Sequence, residues 1–122
     1  MVNNPSISVI IPIYGVEKYI ARCARSLFEQ SLAFVTEFIF VNDATADRSI
    51  EILSDVVSQY PSLADNVKIL NHKVNKGLPA ARNTGLSIAT GDYIIHVDGD
   101  DFCENNMLEF LYEAAINNNA DF

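Results

Sequence analysis

The sequence predicts an α/β fold: a doubly wound, mainly parallel sheet with strand order 3-2-1-4. Three observations lead to the parallel sheet, and the order 3-2-1-4 is the arrangement that would bring the acidic strand exits to one edge. Four apolar runs of strand length alternate with four helical patterns, and the order βαβαβαβα means parallel strands joined by right-handed crossovers. Three of the runs are apolar at consecutive positions instead of alternating, as strands buried on both faces are. The chain has 122 residues, 49% hydrophobic and 20% charged, which fits one domain around one core.

The first run covers residues 6–14 and is nearly continuous at Val9-Ile10-Ile11-Pro12-Ile13. Tyr19, Ile20, Cys23 and Leu27 then recur at helical spacing. The second run is Glu37-Phe38-Ile39-Phe40-Val41. Ile50, Leu53, Val57 and Tyr60 make the next helical stripe, with Thr45 or Asp47 placed to cap it and Pro61 to stop it. A weaker third run, Val67-Lys68-Ile69-Leu70, precedes a helix after Leu78, with Pro79 fit for its first turn and Gly91 just past its end. The fourth run is Tyr93-Ile94-Ile95-His96-Val97. The last helix carries Met107, Leu108, Leu111 and Ala115 and is expected to fray into Asn117-Asn118-Asn119. Ala120-Asp121-Phe122 read as the approach to a further strand. The expectation is therefore that residues 1–122 are one portion of a domain, cut before its second half.

Composition excludes several functions. The net charge of −8 argues against nucleic-acid backbone binding, which needs a basic surface. No apolar run approaches the roughly 18–20 residues that span a bilayer. The start, MVNNPSISVIIPIY, has no basic region followed by a cleavage site, so no signal peptide is visible. The expected location is cytoplasmic, with any peripheral attachment at the inner face of a membrane supplied by the full-length protein. Cys23 and Cys103 show no CxxC spacing and read as reduced, partly buried thiols.

In an open parallel sheet, ligands bind outside the carboxyl ends of the strands, where strand order reverses. Strand 1 exits into Pro12-Ile13-Tyr14-Gly15, strand 2 into Asn42-Asp43-Ala44-Thr45, strand 3 into residues 71–77, and strand 4 into Asp98-Gly99-Asp100-Asp101. The carboxylates of Asp98 and Asp100, two apart on extended chain, project to the same side. Like charges that close need a cation between them, and hard oxygen ligands in small number suit Mg²⁺ or Mn²⁺. Gly99 leaves room for backbone to approach a ligand. The competing reading is an acidic loop whose aspartates cap the following helix. Asp43 also has two readings. It accepts a hydrogen bond from a base N–H, or it joins Asn42 in an Asx-turn or cap of the second helix; the local pattern favours the cap. Lys76 and Arg82, near a helix N-terminus, read as an anion site or as a solvated basic patch.

Taken in series, SVIIPIYG, FVNDATAD, NKGLPAARNTG and DYIIHVDGDD resemble, in order and spacing, the motifs of family 2 (GT-A) inverting glycosyltransferases. The resemblance covers nearly the whole chain. It implies that Pro12 and Tyr14 line a nucleotide pocket and that Asp43 accepts the N3–H of a uracil or other pyrimidine. Lys76 and Arg82 would help hold the nucleotide. Asp98 and Asp100 match the family's DxD pair, Asp98 toward the ribose or a metal-bound water and Asp100 on an Mn²⁺ or Mg²⁺ ion. The implied partners are a nucleotide-diphosphate sugar donor, UDP-linked, and a saccharide or lipid-linked acceptor, with a role in cell-surface polysaccharide or glycan synthesis. The family's general base comes from the second half of the domain, beyond Phe122, so these residues alone are expected to bind donor without transfer and to self-associate. Two rivals fit less well. A receiver domain needs paired acids after strand 1, where Pro12 and Tyr14 stand. A nucleotidyltransferase-like module wants a glycine- and arginine-rich loop, which Tyr14-Gly15-Val16-Glu17 is not. A non-catalytic nucleotide-sugar-binding module is the remaining alternative.

Overall fold

The structure, a computed structural model, describes residues 4–118. Four strands form one sheet, parallel as the run pattern predicts and in the expected order β3-β2-β1-β4. They are β1 (Ile7–Ile13), β2 (Thr36–Asn42), β3 (Val67–Asn71) and β4 (Tyr93–His96). The helices are α1 (Ile20–Phe28), α2 (Ser49–Ser58), α3 (Leu78–Ile88) and α4 (Met107–Asn118). α4 includes Asn117 and Asn118, where fraying was expected; Asn119 and residues 120–122 lie outside the described residues.

Alternation along the two central strands sorts the core into two layers. Ile7, Val9, Ile11 and Ile13 of β1 and Phe38 and Phe40 of β2 pack with α1, α2 and Leu108 of α4. Phe28 meets Phe38 and Phe40 edge-on at 5.2 and 6.1 Å. Ile39 and Val41 face the other way, onto Ala81 of α3. Each fully buried side chain of this size contributes about 1.5–3 kcal/mol, so β1 and β2 hold the sheet.

Some local expectations shift. Tyr19 stands at the N-cap of α1 and is half exposed, not part of the buried stripe. Two 3-10 turns, Ala33–Val35 and Pro61–Asn66, lead into β2 and β3; their short lengths carry no periodicity to read. The N-cap of α2 is Arg48, which makes no side-chain cap, so neither Thr45 nor Asp47 holds the expected position; Asp47, one residue earlier, accepts from the Ser49 amide at its Oδ1 at 3.1 Å. Thr45 Oγ1 instead donates to Asp47 and accepts from the Gly15 amide at 2.9 Å, tying the β1 and β2 exits together.

The opposite end of the sheet is pinned by a buried carboxylate. Glu37 accepts from Ser8 Oγ at 2.5 Å, the Thr90 amide at 2.6 Å and Lys68 Nζ at 2.8 Å. One side chain thus joins β1, β2, β3 and the approach to β4. Burial pushes its carboxyl up, but these donors outweigh burial and bring it down to about 2. Among the described residues, no helix is long and apolar enough to cross a membrane.

Candidate functional site

The carboxyl ends of the strands enclose a cleft of about 430 Å³. Pro12 and Tyr14 from the β1 exit, Asp43 from β2, Asn75, Gly77 and Leu78 from the loop into α3, and Asp98, Gly99 and Asp100 from the β4 exit all line it. A larger cleft of about 610 Å³ lies away from the strand ends, between α1 and the loop before α4. Of the acids that leave the strands, the smaller cleft holds Asp43, Asp98 and Asp100 and the larger holds none. The smaller one is the candidate site.

Asp43 does not cap the second helix. Its neighbour Asn42 makes the local turn, accepting from the Thr45 amide at 3.0 Å, with Ala44 between them at a φ of 59°. A non-glycine residue in that left-handed region is strained, and the Asn42 hydrogen bond holds it there. The Asp43 carboxylate is thereby turned across to the loop before α3. Its Oδ1 accepts from the Lys76 amide at 2.8 Å and lies 2.8 Å from His72 Nδ1; its Oδ2 accepts from the Gly77 amide at 2.9 Å. Gly77 sits at a φ of 93°, a conformation that a side chain would strain. Burial pushes the Asp43 carboxyl up, but the His72, Lys76 and Gly77 hydrogen bonds outweigh it and hold it below the ordinary carboxylate value.

The β4 exit carries three exposed carboxylates, Asp98, Asp100 and Asp101, whose oxygens lie within 4.8 Å of one another. Arg82 Nη2 donates to Asp98 Oδ1 at 3.3 Å, and the Asp98 amide donates to Asp101 Oδ2 at 3.3 Å. Three convergent hard oxygens, with one guanidinium against them, fit a divalent cation that keeps waters and takes phosphate ligands. Arg82 Nε is buried without a partner among the described residues, a donor left over beside the same cluster. Gly99 answers to the protein itself: a Cβ there would lie 3.0 Å from Val16 Cγ2 and 3.2 Å from the Pro12 carbonyl.

Of the residues singled out from sequence, Pro12, Tyr14, Asp43, Asp98 and Asp100 share the cleft. Arg82 reaches it through Asp98. Lys76 contributes its amide to Asp43, while its exposed side chain is not among the lining groups. Sequence reasoning gave no role to Asn75, His72 or Asp101. Asp101 was visible as the third acid of its run; His72 and Asn75 stood in the strand 3 exit, but nothing local says that they turn toward Asp43.

A family model described as glycosyl transferase family 2 matches residues 8–122. The chain is 43% identical over 117 residues to the uncharacterized glycosyltransferase EpsJ of Bacillus subtilis, covering 96% of this chain and 32% of that protein. It is 37% identical over 117 residues to the poly(ribitol-phosphate) beta-glucosyltransferase of Bacillus spizizenii, covering 94% and 18%. Among solved structures, residues 1–349 of S. aureus TarS in complex with UDP superpose with a TM-score of 0.80 at 29% identity, covering 92% of this chain and 32% of that one. The mannosyltransferase PcManGT of Pyrobaculum calidifontis, in complex with GDP-Man and Mn²⁺, gives 0.74 at 25% identity, covering 82% and 29%. The chain thus spans about a third or less of the length of these relatives.

Proposed function

Because the chain belongs to glycosyl transferase family 2, we propose that its cleft holds the nucleoside diphosphate of a UDP-linked sugar donor and that the full-length protein transfers the sugar, with inversion, to a saccharide or lipid-linked acceptor. The observation that carries this reading is the shared cleft: an ionised, buried acceptor at Asp43 and a carboxylate cluster at Asp98 and Asp100 face the same 430 Å³ space. Relatives solved with UDP and with GDP-Man and Mn²⁺ support it.

In this reading Pro12 and Tyr14 form the wall against the base and Asp43 accepts its imide N–H. Asp98 faces the ribose or a metal-bound water, and Asp100 with Asp98 would hold Mn²⁺ or Mg²⁺. That ion would neutralise the diphosphate and stabilise it as leaving group. Arg82 keeps Asp98 oriented at 3.3 Å and brings positive charge near the phosphates. A cation and a guanidinium let a chain of net charge −8 hold an anionic ligand.

The product class we propose is cell-surface polysaccharide or glycan, made on the cytoplasmic side of a membrane. Residues 1–122 are the donor-binding portion, and the base that takes the acceptor proton comes from elsewhere in the full-length protein. General base catalysis supplies about 10²–10⁴-fold, and acceptor positioning supplies more. A sugar-transfer assay with radiolabelled UDP-sugars should show transfer by the full-length protein and only donor binding by the 122 residues alone. Equal transfer by both would mean that the base lies within this chain.

A further inference from the structure

We propose that His72 is a positioning residue of the base pocket, clamped between Asp43 and Thr84 so that it donates from Nδ1 to Asp43 and leaves Asp43 one free lone pair aimed at the cleft. The inference rests on the reading of Asp43 as the acceptor for a nucleobase imide, and it adds why that aspartate accepts in one direction only.

Hydrogen-bond accounting carries it. His72 and Asp43 are almost wholly buried, their side chains 6% and 4% exposed, so each polar atom needs a partner within the protein. Nδ1 of His72 lies 2.8 Å from Asp43 Oδ1, and Nε2 lies 2.7 Å from Thr84 Oγ1. The Thr84 hydroxyl, which also lies 3.0 Å from the Ala80 carbonyl, can accept from Nε2 or donate to it, so it serves either ring tautomer. Asp43 accepts amide hydrogens on both oxygens and is held ionised, so it is an acceptor only and Nδ1 carries the hydrogen between them. The ring is held between a carboxylate and a hydroxyl and donates to the carboxylate.

The same accounting fixes what Asp43 has left. A carboxylate offers about four lone-pair positions. His72 and the Lys76 amide take those of Oδ1, and the Gly77 amide takes one of Oδ2. The remaining one belongs to a side chain that lines the cleft. A uracil presents a hydrogen at N3; a cytosine presents a lone pair there and is repelled. His72 thus supports discrimination between the two bases without touching either.

The test measures affinities of UDP and CDP for the full-length protein and its variants by calorimetry. The parent protein should prefer UDP, and Asp43→Asn should lose that preference; if either fails, the reading of the pocket fails and His72 has no role in it. With both in place, His72→Ala should weaken UDP roughly tenfold, the scale of one hydrogen bond to a charged group, while CDP changes less than twofold. His72→Asn, whose amide N–H can replace Nδ1–H, should restore most of the UDP preference. A residue that only fills space would lower the melting temperature in both variants and leave the UDP-to-CDP ratio alone. An unchanged ratio in His72→Ala, or an Asn variant no better than the Ala one, overturns the proposal. If the Ala variant does not fold, the Asn variant decides: a parent-like ratio supports the proposal, and a lost one overturns it.

Discussion

Asp100 faces the cleft with no hydrogen-bond or ion-pair partner among the described residues, whereas Asp98 is engaged by Arg82 and Asp101 by the Asp98 amide. Three carboxylates within 4.8 Å repel one another until a cation joins them. Metal and diphosphate should therefore bind cooperatively, each strengthening the other by about 5–150-fold. Calorimetry of UDP in Mn²⁺ and in EDTA should show that gain in the parent and none in Asp100→Ala; equal affinity with and without metal in the parent would remove the metal from the site. Glu37 makes a different residue-scale expectation, about pH. Its folded value of about 2 lies below the ordinary 4.5, so its contribution is fully present above pH 4.5 and is lost as pH falls toward 2. That difference corresponds to about 3 kcal/mol, on a side chain that is almost wholly buried. Urea denaturation should find Glu37→Gln weaker by about that amount at neutral pH, with a flatter acid limb than the parent.

At the scale of elements, the approach to β4 is set by contact with β1. A Cβ at Gly91 would lie 2.6 Å from the Ser8 amide nitrogen and 2.7 Å from the Ile7 carbonyl carbon, and the Gly91 amide donates to Ser8 Oγ at 2.8 Å. β1 is a central strand and cannot move aside, since it is paired with β2 and β4. Gly91→Ala should cost roughly 1–3 kcal/mol, as overpacking does, measured as a lower denaturation midpoint with an unchanged slope. A variant as stable as the parent would mean that the β4 approach can shift away from β1. The sequence marked Gly91 only as the residue past a helix, because its neighbour lies on a strand some eighty positions away.

For the molecule as a whole, β4 has a strand partner on one side only among the described residues, and so does β3. β4 reads as a doubly buried strand in sequence, yet here its exposed edge can pair with another chain. The 122 residues alone should self-associate with rising concentration in sedimentation velocity, and the full-length protein should do so less. A strictly monomeric chain would mean that the β4 edge is protected within these residues.

The parallel sheet, the two-layer core and the edge on which the cleft forms were legible in the sequence, whereas the order 3-2-1-4 was an expected arrangement that the structure bears out. They follow from local periodicity: continuous apolar runs such as residues 37–41 must be covered on both faces, and helical stripes between them supply the cover. What leaves each strand was legible too, because ligands gather at carboxyl ends whatever the chain. Only the tertiary structure decided partners. Asp43 turns away from its own helix toward amides more than thirty positions on, Lys76 offers backbone rather than side chain, Gly99 makes room for Pro12 and Val16, and His72 becomes a clamp. A hydrogen bond depends on where two loops arrive in space, and periodicity within one segment carries no record of that meeting.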